Sequence, residues 1–191
     1  MHSRTLTPLP LPLPLLAGLL ASALSAQAAP EAPDAPIAVM STALYNDQAN
    51  LREASDSTKS GLATSVLRAR LREQLREQIR PFEATDSAAT APEARELTGG
   101  IPCEVKVACA LAVALQQDAR RVVQTKVSMT SNLIWLLSAQ LIRVETGEIV
   151  LDDSTELKGD PDAMIRVGLR IFADRVIRTV RAGGVANDFP S

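Results

Sequence analysis

Between Arg121 and Gly159 apolar and polar residues alternate with a period of two. Val123, Val127 and Met129, then Leu133, Trp135, Leu137, Ala139 and Leu141, then Ile149, Leu151 and Leu157 hold odd positions. Gln124, Lys126, Ser128, Ser138, Gln140, Asp152, Ser154, Glu156 and Lys158 hold even ones. That period predicts three antiparallel strands in succession with one buried face. Thr130-Ser131-Asn132 supplies the first turn and Glu145-Thr146-Gly147-Glu148 the second, where Gly147 can take the positive φ that a short hairpin loop demands.

The rest of the chain packs around this meander. Ile37-Ala38-Val39-Met40 is apolar without alternation, which predicts a central strand covered on both faces. Tyr45 to Asn50 reads as a surface loop, and Ser55 to Thr58 offers caps for a helix from about Lys59 to Gln78. Leu67, Leu71, Leu75 and Ile79, with Leu62 and Val66 beside them, form its core-facing stripe. Arg68, Arg72, Arg76 and Arg80 lie on its other side, and the interleaved Glu73 and Glu77 mark that side as a solvated face. Ile79 to Glu83 predicts a short edge strand, since Pro81 lacks the N–H that a central ladder needs. Ala84 to Gly100 reads as the least ordered loop, with one or two helical turns over Pro92 to Leu97.

A helix carrying Val107, Leu111, Ala114 and Leu115 follows and ends near Gln117-Asp118. After the meander, Asp160 as N-cap, Pro161 in the first helical position and Asp162 near the positive end of the dipole start a last helix. Its apolar face is Ile165, Leu169, Phe172, Val176 and Val180 with Met164, Gly168 and Ile171, where Gly168 allows close approach to the sheet. The fold class is therefore α/β (α+β): one mixed sheet with a C-terminal three-strand antiparallel meander, packed by about three helices.

The 191 residues, 46% of them apolar and 22% charged, suit one globular domain with a real core. Net charge is −2, and removing a leader that holds Arg4 leaves about −3, so no basic surplus points to nucleic acid. The leader is residues 1–28: His2 and Arg4 precede an apolar run from Leu9 to Leu24, and Ala26-Gln27-Ala28 offers a signal peptidase site. Prolines at 8, 10, 12 and 14 leave too short a segment for the roughly twenty residues of a crossing, and no Cys follows for a lipid anchor. The expected mature protein begins near Ala29 in the periplasm. Residues 29–36 are a Pro-rich tether, 37–182 the domain, and 183–191 a disordered tail.

The single histidine is His2, inside the leader. That excludes from the mature chain the Ser-His-Asp and Cys-His nucleophile systems, His-ligated metals and His general bases. Neither G-x-G-x-x-G nor G-x-x-x-x-G-K-[ST] occurs. Asp152-Asp153 with Glu156 is the densest acidic group on the meander, but neighbours on a strand point to opposite faces, so a solvated edge is the plainer reading. Trp135 sits among apolar residues and reads as core before ligand stacking. Cys103 and Cys109 are the only cysteines; in an exported chain an even count implies a disulfide, while a metal site would need more ligands and a redox pair is usually Cys-x-x-Cys. Six residues of continuous helix would hold the two Cα atoms about 9 Å apart by rise alone, so the bond requires a helix that starts close to or after Val105.

Ser131-Asn132-Leu133-Ile134, the hairpin Glu145-Thr146-Gly147, the start Gly159-Asp160-Pro161-Asp162 and Gly168 resemble an uncharacterised family of small secreted proteobacterial proteins, over roughly residues 37 to 180. Where the family has a Lys in its strand this chain has Met129, where it has a Trp in the last helix this chain has Ile165, and the cysteines here are wider apart. The layout is similar more broadly to the N-terminal domain of TolB and to CsgG-like and LpoB-like periplasmic domains. The resemblance implies a non-enzymatic accessory module without cofactor or metal that binds another envelope protein, with a candidate partner or ligand surface at Ser131, Asn132 and Trp135. It also implies a link to periplasmic quinoprotein dehydrogenase systems; the expected edge strand containing Pro81 leaves room for a homo-oligomer by strand addition. A carrier or sensor of a small ligand, with Trp135 as optical handle, is the alternative reading. A hydrolase using only Asp153 and Glu156 is the remote one.

Overall fold

A computed structural model describes residues 32, 34–46, 54–131 and 134–183. The leader expected at 1–28, most of the tether, Asn132 and the tail from 184 lie outside the described residues. Strand β1 (Ile37–Asn46) is followed by helix α1 (Ala54–Leu75), which a 3-10 turn at Arg76–Gln78 ends. Helices α2 (Phe82–Thr90), α3 (Pro92–Thr98) and α4 (Val107–Gln116) come next, with a second 3-10 turn at Cys103–Val105. The meander is β2 (Arg121–Ser131), β3 (Ile134–Arg143) and β4 (Ile149–Leu157), and α5 (Pro161–Arg181) closes the order.

One four-stranded sheet runs β1-β2-β3-β4, with β1 parallel to β2 and the meander antiparallel. The fold class and the meander stand as the alternation predicts. The turn at Gly147 has φ 69° and its N–H donates to Arg143 O at 2.9 Å. Asp160 caps α5, its Oδ1 accepting from the Asp162 N–H at 3.0 Å. A Cβ on Gly168 would lie 2.9 Å from Leu137 Cδ2, so the helix reaches the sheet there because glycine leaves the room.

Both faces of the sheet are covered, where the alternation predicts one. On the odd face Val123, Val127, Leu137 and Leu141 pack beneath Leu67 and Leu71 of α1 and Ile165, Leu169, Phe172 and Val176 of α5. On the even face Ala38, Met40, Val122, Ile142 and Val144 join Cys109, Ala110, Val113 and Ala114 of α4, with Ala89 of α2 and Ala94 of α3. The even-face core covers only the end of the sheet where Val122, Ile142 and Val144 break the polar pattern. The buried side of α4 is thus Cys109-Ala110 and Val113-Ala114, and Leu115 is 62% exposed. On α5 Ile171 likewise faces out, at 57%.

Strand β1 is buried on both faces, yet it is an edge rather than a central strand. Its outer margin is closed by other groups. Arg80 N–H donates to Ile37 O at 2.9 Å beside an isolated bridge between Ile37 and Ile79. Arg68 Nη2 donates to Val39 O at 3.0 Å, and Thr64 Oγ1 accepts from the Thr42 N–H at 2.8 Å. The expected edge strand through Pro81 is therefore a single bridge. Pro81 instead precedes α2, where a fixed φ (−53°) and a missing N–H cost a helix nothing.

The first part of the segment expected as a loop folds as α2, because Phe82, Thr85 and Ala89 make a buried stripe at helical spacing, and the helical turns expected over Pro92 to Leu97 are α3. The arginine stripe is not simply solvated. Arg68 forms a forked pair with Asp86 (2.7 and 2.5 Å), and Arg68 and Arg72 stack on Phe82 at 4.6 and 4.0 Å from its centroid. These contacts bind α1 to α2. Arg70 binds α1 to α5 through Asp174 at 2.8 Å; that bond, followed by the one to Glu73, favours the charged guanidinium and raises its pKa.

Candidate functional site

Residues Cys103 to Cys109 form a loop that turns before the helix begins. Pro102 leads into the 3-10 turn, Lys106 is extended, and α4 starts only at Val107. The two Cα atoms come to 5.3 Å and the disulfide is formed, in accord with the required late helix start. Both cysteines are buried in the even-face core. The loop projects Glu104 over the sheet, where its carbonyl accepts from Gln124 Nε2 and its Oε1 accepts from Ser41 Oγ at 2.6 Å.

Register decides what lies under this loop. Gln124 pairs with Gln140 and Gln140 with Asp152, while Lys126 pairs with Ser138 and Ser138 with Ser154. Two polar rows thus cross the even face beyond the last apolar row, and with the disulfide loop they enclose a cavity of about 300 Å³. Gln140 Nε2 donates to Asp152 Oδ1 at 3.2 Å. Gln124 is buried and its Oε1 accepts no hydrogen bond among the described residues. The lining holds the carboxylates of Glu104 and Asp152 and one ammonium, Lys126, which lies 5.7 Å from the Tyr45 ring centroid.

The odd face has its own recess. Helix α5 packs across β3 and β4 and leaves a cavity of about 320 Å³ floored by Leu137, Ala139 and Phe172. Val167 and Ile171, 53% and 57% exposed, form its outer rim. Asp153 and Thr155 of β4 line the side away from the helix, with Asp153 held by Arg175. The two cavities flank one strand. Asp152 and Ser154 reach the polar one and Asp153 and Thr155 the apolar one, as alternation on a strand requires. β4 is the sheet's terminal strand and pairs with β3 on one side.

Ser131 ends β2 and pairs with Ile134, one step beyond the Trp135–Leu157 pair, so that turn lies at the same end of the sheet as the close of β4. Trp135 is 8% exposed in the odd-face core, with the Lys59 ammonium 4.9 Å from its ring centroid. It lies on the face opposite the polar cavity and lines neither recess. Asp153 and Glu156 point to opposite faces, one bonded to Arg175 and the other to Lys158 at 3.3 Å, so they do not converge as an acid/base pair. Sequence reasoning missed Glu104, Gln124 and Gln140 as companions of Asp152. Their signal was the cross-strand row, which appears only when the register is known.

The LpoB C-terminal domain from Salmonella enterica is 19% identical, with a TM-score of 0.43, over 70% of this chain and 89% of its own. The lipoprotein GNA1162 from Neisseria meningitidis is 14% identical, TM-score 0.44, over 82% of this chain and 99% of its own. TolB from Acinetobacter baumannii is 18% identical, TM-score 0.39, over 83% of this chain and 31% of its own. These likenesses carry no argument about function, and none of them supports the link to a quinoprotein dehydrogenase. No curated protein matches the sequence. Residues 35–177 match the DUF3280 family, and the chain belongs to it, a family described as protein of unknown function (DUF2380).

Proposed function

We propose that the protein is an exported, non-enzymatic interaction module that docks another cell-envelope protein along β4. The observation that carries this reading is the contrast between the sheet's two margins. The β1 margin is closed by Arg68, Thr64 and Arg80, whereas the β4 margin lies between two recesses. An open strand edge is a template for pairing with another chain, and proteins normally blunt such edges. Export rests on the leader at 1–28, cleaved near Ala28/Ala29, and agrees with the disulfide. Among the described residues no helix is long and apolar enough to cross a membrane. A mature chain without histidine, and with its densest carboxylates on opposite faces, favours binding over chemistry.

The test is site-specific photo-crosslinking in the native host. A crosslinking residue at Ile149 or Thr155 of β4 is expected to give a discrete adduct with one polypeptide. The same residue at Leu97 of α3, which is exposed and lines neither recess, should give none. Adducts of equal yield from both sets, or from neither, would overturn the proposal.

A further inference from the structure

We infer that the partner presents an extended segment whose residues alternate between apolar and basic, added as a fifth strand beside β4; this rests on the docking reading above. A strand laid against β4 lies about 4.8 Å from it and sends successive side chains to opposite faces of the sheet. On the odd face those side chains meet the recess under α5, where Val167 and Ile171 are exposed. Apolar residues of moderate size fit there. On the even face they meet Asp152 and, behind it, the polar cavity.

The even-face recess selects for positive charge. Asp152 is exposed, accepts from Gln140 Nε2, and makes no ion pair within the described chain, unlike Asp153 with Arg175 and Glu156 with Lys158. Behind it lie the Glu104 carboxylate and Gln124 Oε1, both acceptors, so a long side chain carrying several N–H donors satisfies more of the lining than any other kind. Arginine or lysine reaching over Asp152 has that length and that chemistry. In strand addition the main-chain bonds supply affinity and the alternate pockets supply selectivity.

A second copy of this chain is the poorer occupant. Two β4 strands paired antiparallel about an axis near their middle set Asp152 or Asp153 against its own copy, and like charges across a strand pair repel. The occupant is therefore a different polypeptide.

The test uses the mature, oxidised protein and a fluorescein-labelled peptide, Thr-Val-Arg-Val-Arg-Val-Thr, read by anisotropy. Its comparisons are the peptide with both Arg replaced by Glu, and one of identical composition with the Val and Arg residues blocked together. The alternating basic peptide is expected to bind at least tenfold more tightly than either. Asp152→Asn is expected to weaken it several-fold, the Val167→Asp/Ile171→Asp double variant at least tenfold, and Leu115→Asp not at all. Equal binding of the blocked peptide would reduce the effect to general attraction for an acidic protein and overturn strand addition. Equal binding of the Glu peptide would overturn the selection for charge. A dimer in sedimentation that the double variant dissolves would assign β4 to a second copy and overturn the proposal. If the peptide fails while adducts form in the host at Ile149 or Thr155, the partner's chemistry is wrong and docking along β4 stands; if both fail, both fall.

Discussion

The two margins of this sheet solve the same physical problem in opposite ways. At β1 the chain folds back over its own edge: one bridge from Ile79, one guanidinium from Arg68 and one hydroxyl from Thr64 take up outward backbone groups, and α1 and α2 lie over them. At β4 the same chain places two recesses against its terminal strand. The difference teaches that leaving an edge uncovered is not a default of this fold. A chain that commits an arginine, with its desolvation cost, to closing one margin has the means to close the other, so the margin left open among the described residues is where a partner is to be sought.

Breaking the closed margin has the largest expected effect. Arg68→Ala removes the forked pair with Asp86, the bond to Val39 O and the stacking on Phe82, and leaves a buried carbonyl unbonded. Bonds from a charged donor of this kind are worth roughly 1.5–3 kcal/mol each in mutational series, and we expect a loss of about 2–3 kcal/mol by urea denaturation. Arg68→Lys should recover only part of it, since an ammonium cannot reproduce the fork. Adduct formation at Thr155 should persist in Arg68→Ala, provided it is measured well below the lowered melting temperature.

Next in size is the disulfide. Reduction releases the loop that holds Glu104 over Ser41 and Gln124, and the chain-entropy model gives about 2 kcal/mol for so short a loop. A shift of the urea midpoint in the presence of reductant measures it. Two titratable thiols in denatured protein from the periplasm would contradict the bond. Reduction should also weaken the alternating basic peptide, because the roof of the polar cavity is the cross-linked loop itself.

At the open margin the expected stability effects are small and the binding effects large. Val167→Asp with Ile171→Asp changes two exposed side chains, so each should move stability by no more than about 0.5 kcal/mol, while partner adducts at β4 disappear. Asp152→Asn should be smaller still in stability, within about 0.5 kcal/mol, as befits an exposed carboxylate with no ion pair. A loss of several kcal/mol from either change would mean that the open margin is structural after all.

Much of the fold was legible in the sequence, and the missing parts are physical in kind. The meander, the Gly147 turn, the Asp160 cap, the close approach at Gly168 and the late start of α4 each follow from a local rule, so residues 101–181 read well. The helical turns expected over Pro92 to Leu97 are α3, but residues 79–91 did not read well. Their buried stripe is made of Phe82, Thr85 and Ala89, residues too small or too polar to announce a helix by hydrophobic period, and Pro81 serves a helix start as readily as a strand edge. The second core was visible only as exceptions to alternation, at Val122, Ile142 and Val144. The closure of β1 and the row Gln124–Gln140–Asp152 depend on which segments meet, which no single-sequence period encodes.

Amide hydrogen exchange resolved along both marginal strands tests the central claim most directly. In the free oxidised protein, the β4 amides not bonded to β3 are expected to exchange far faster than those of Ile37 to Thr42 in β1. Addition of the alternating basic peptide at saturating concentration should slow the β4 set at least tenfold and leave β1 unchanged. Slow exchange along β4 in the free protein, or protection by the peptide that appears at β1 and not at β4, would contradict the account.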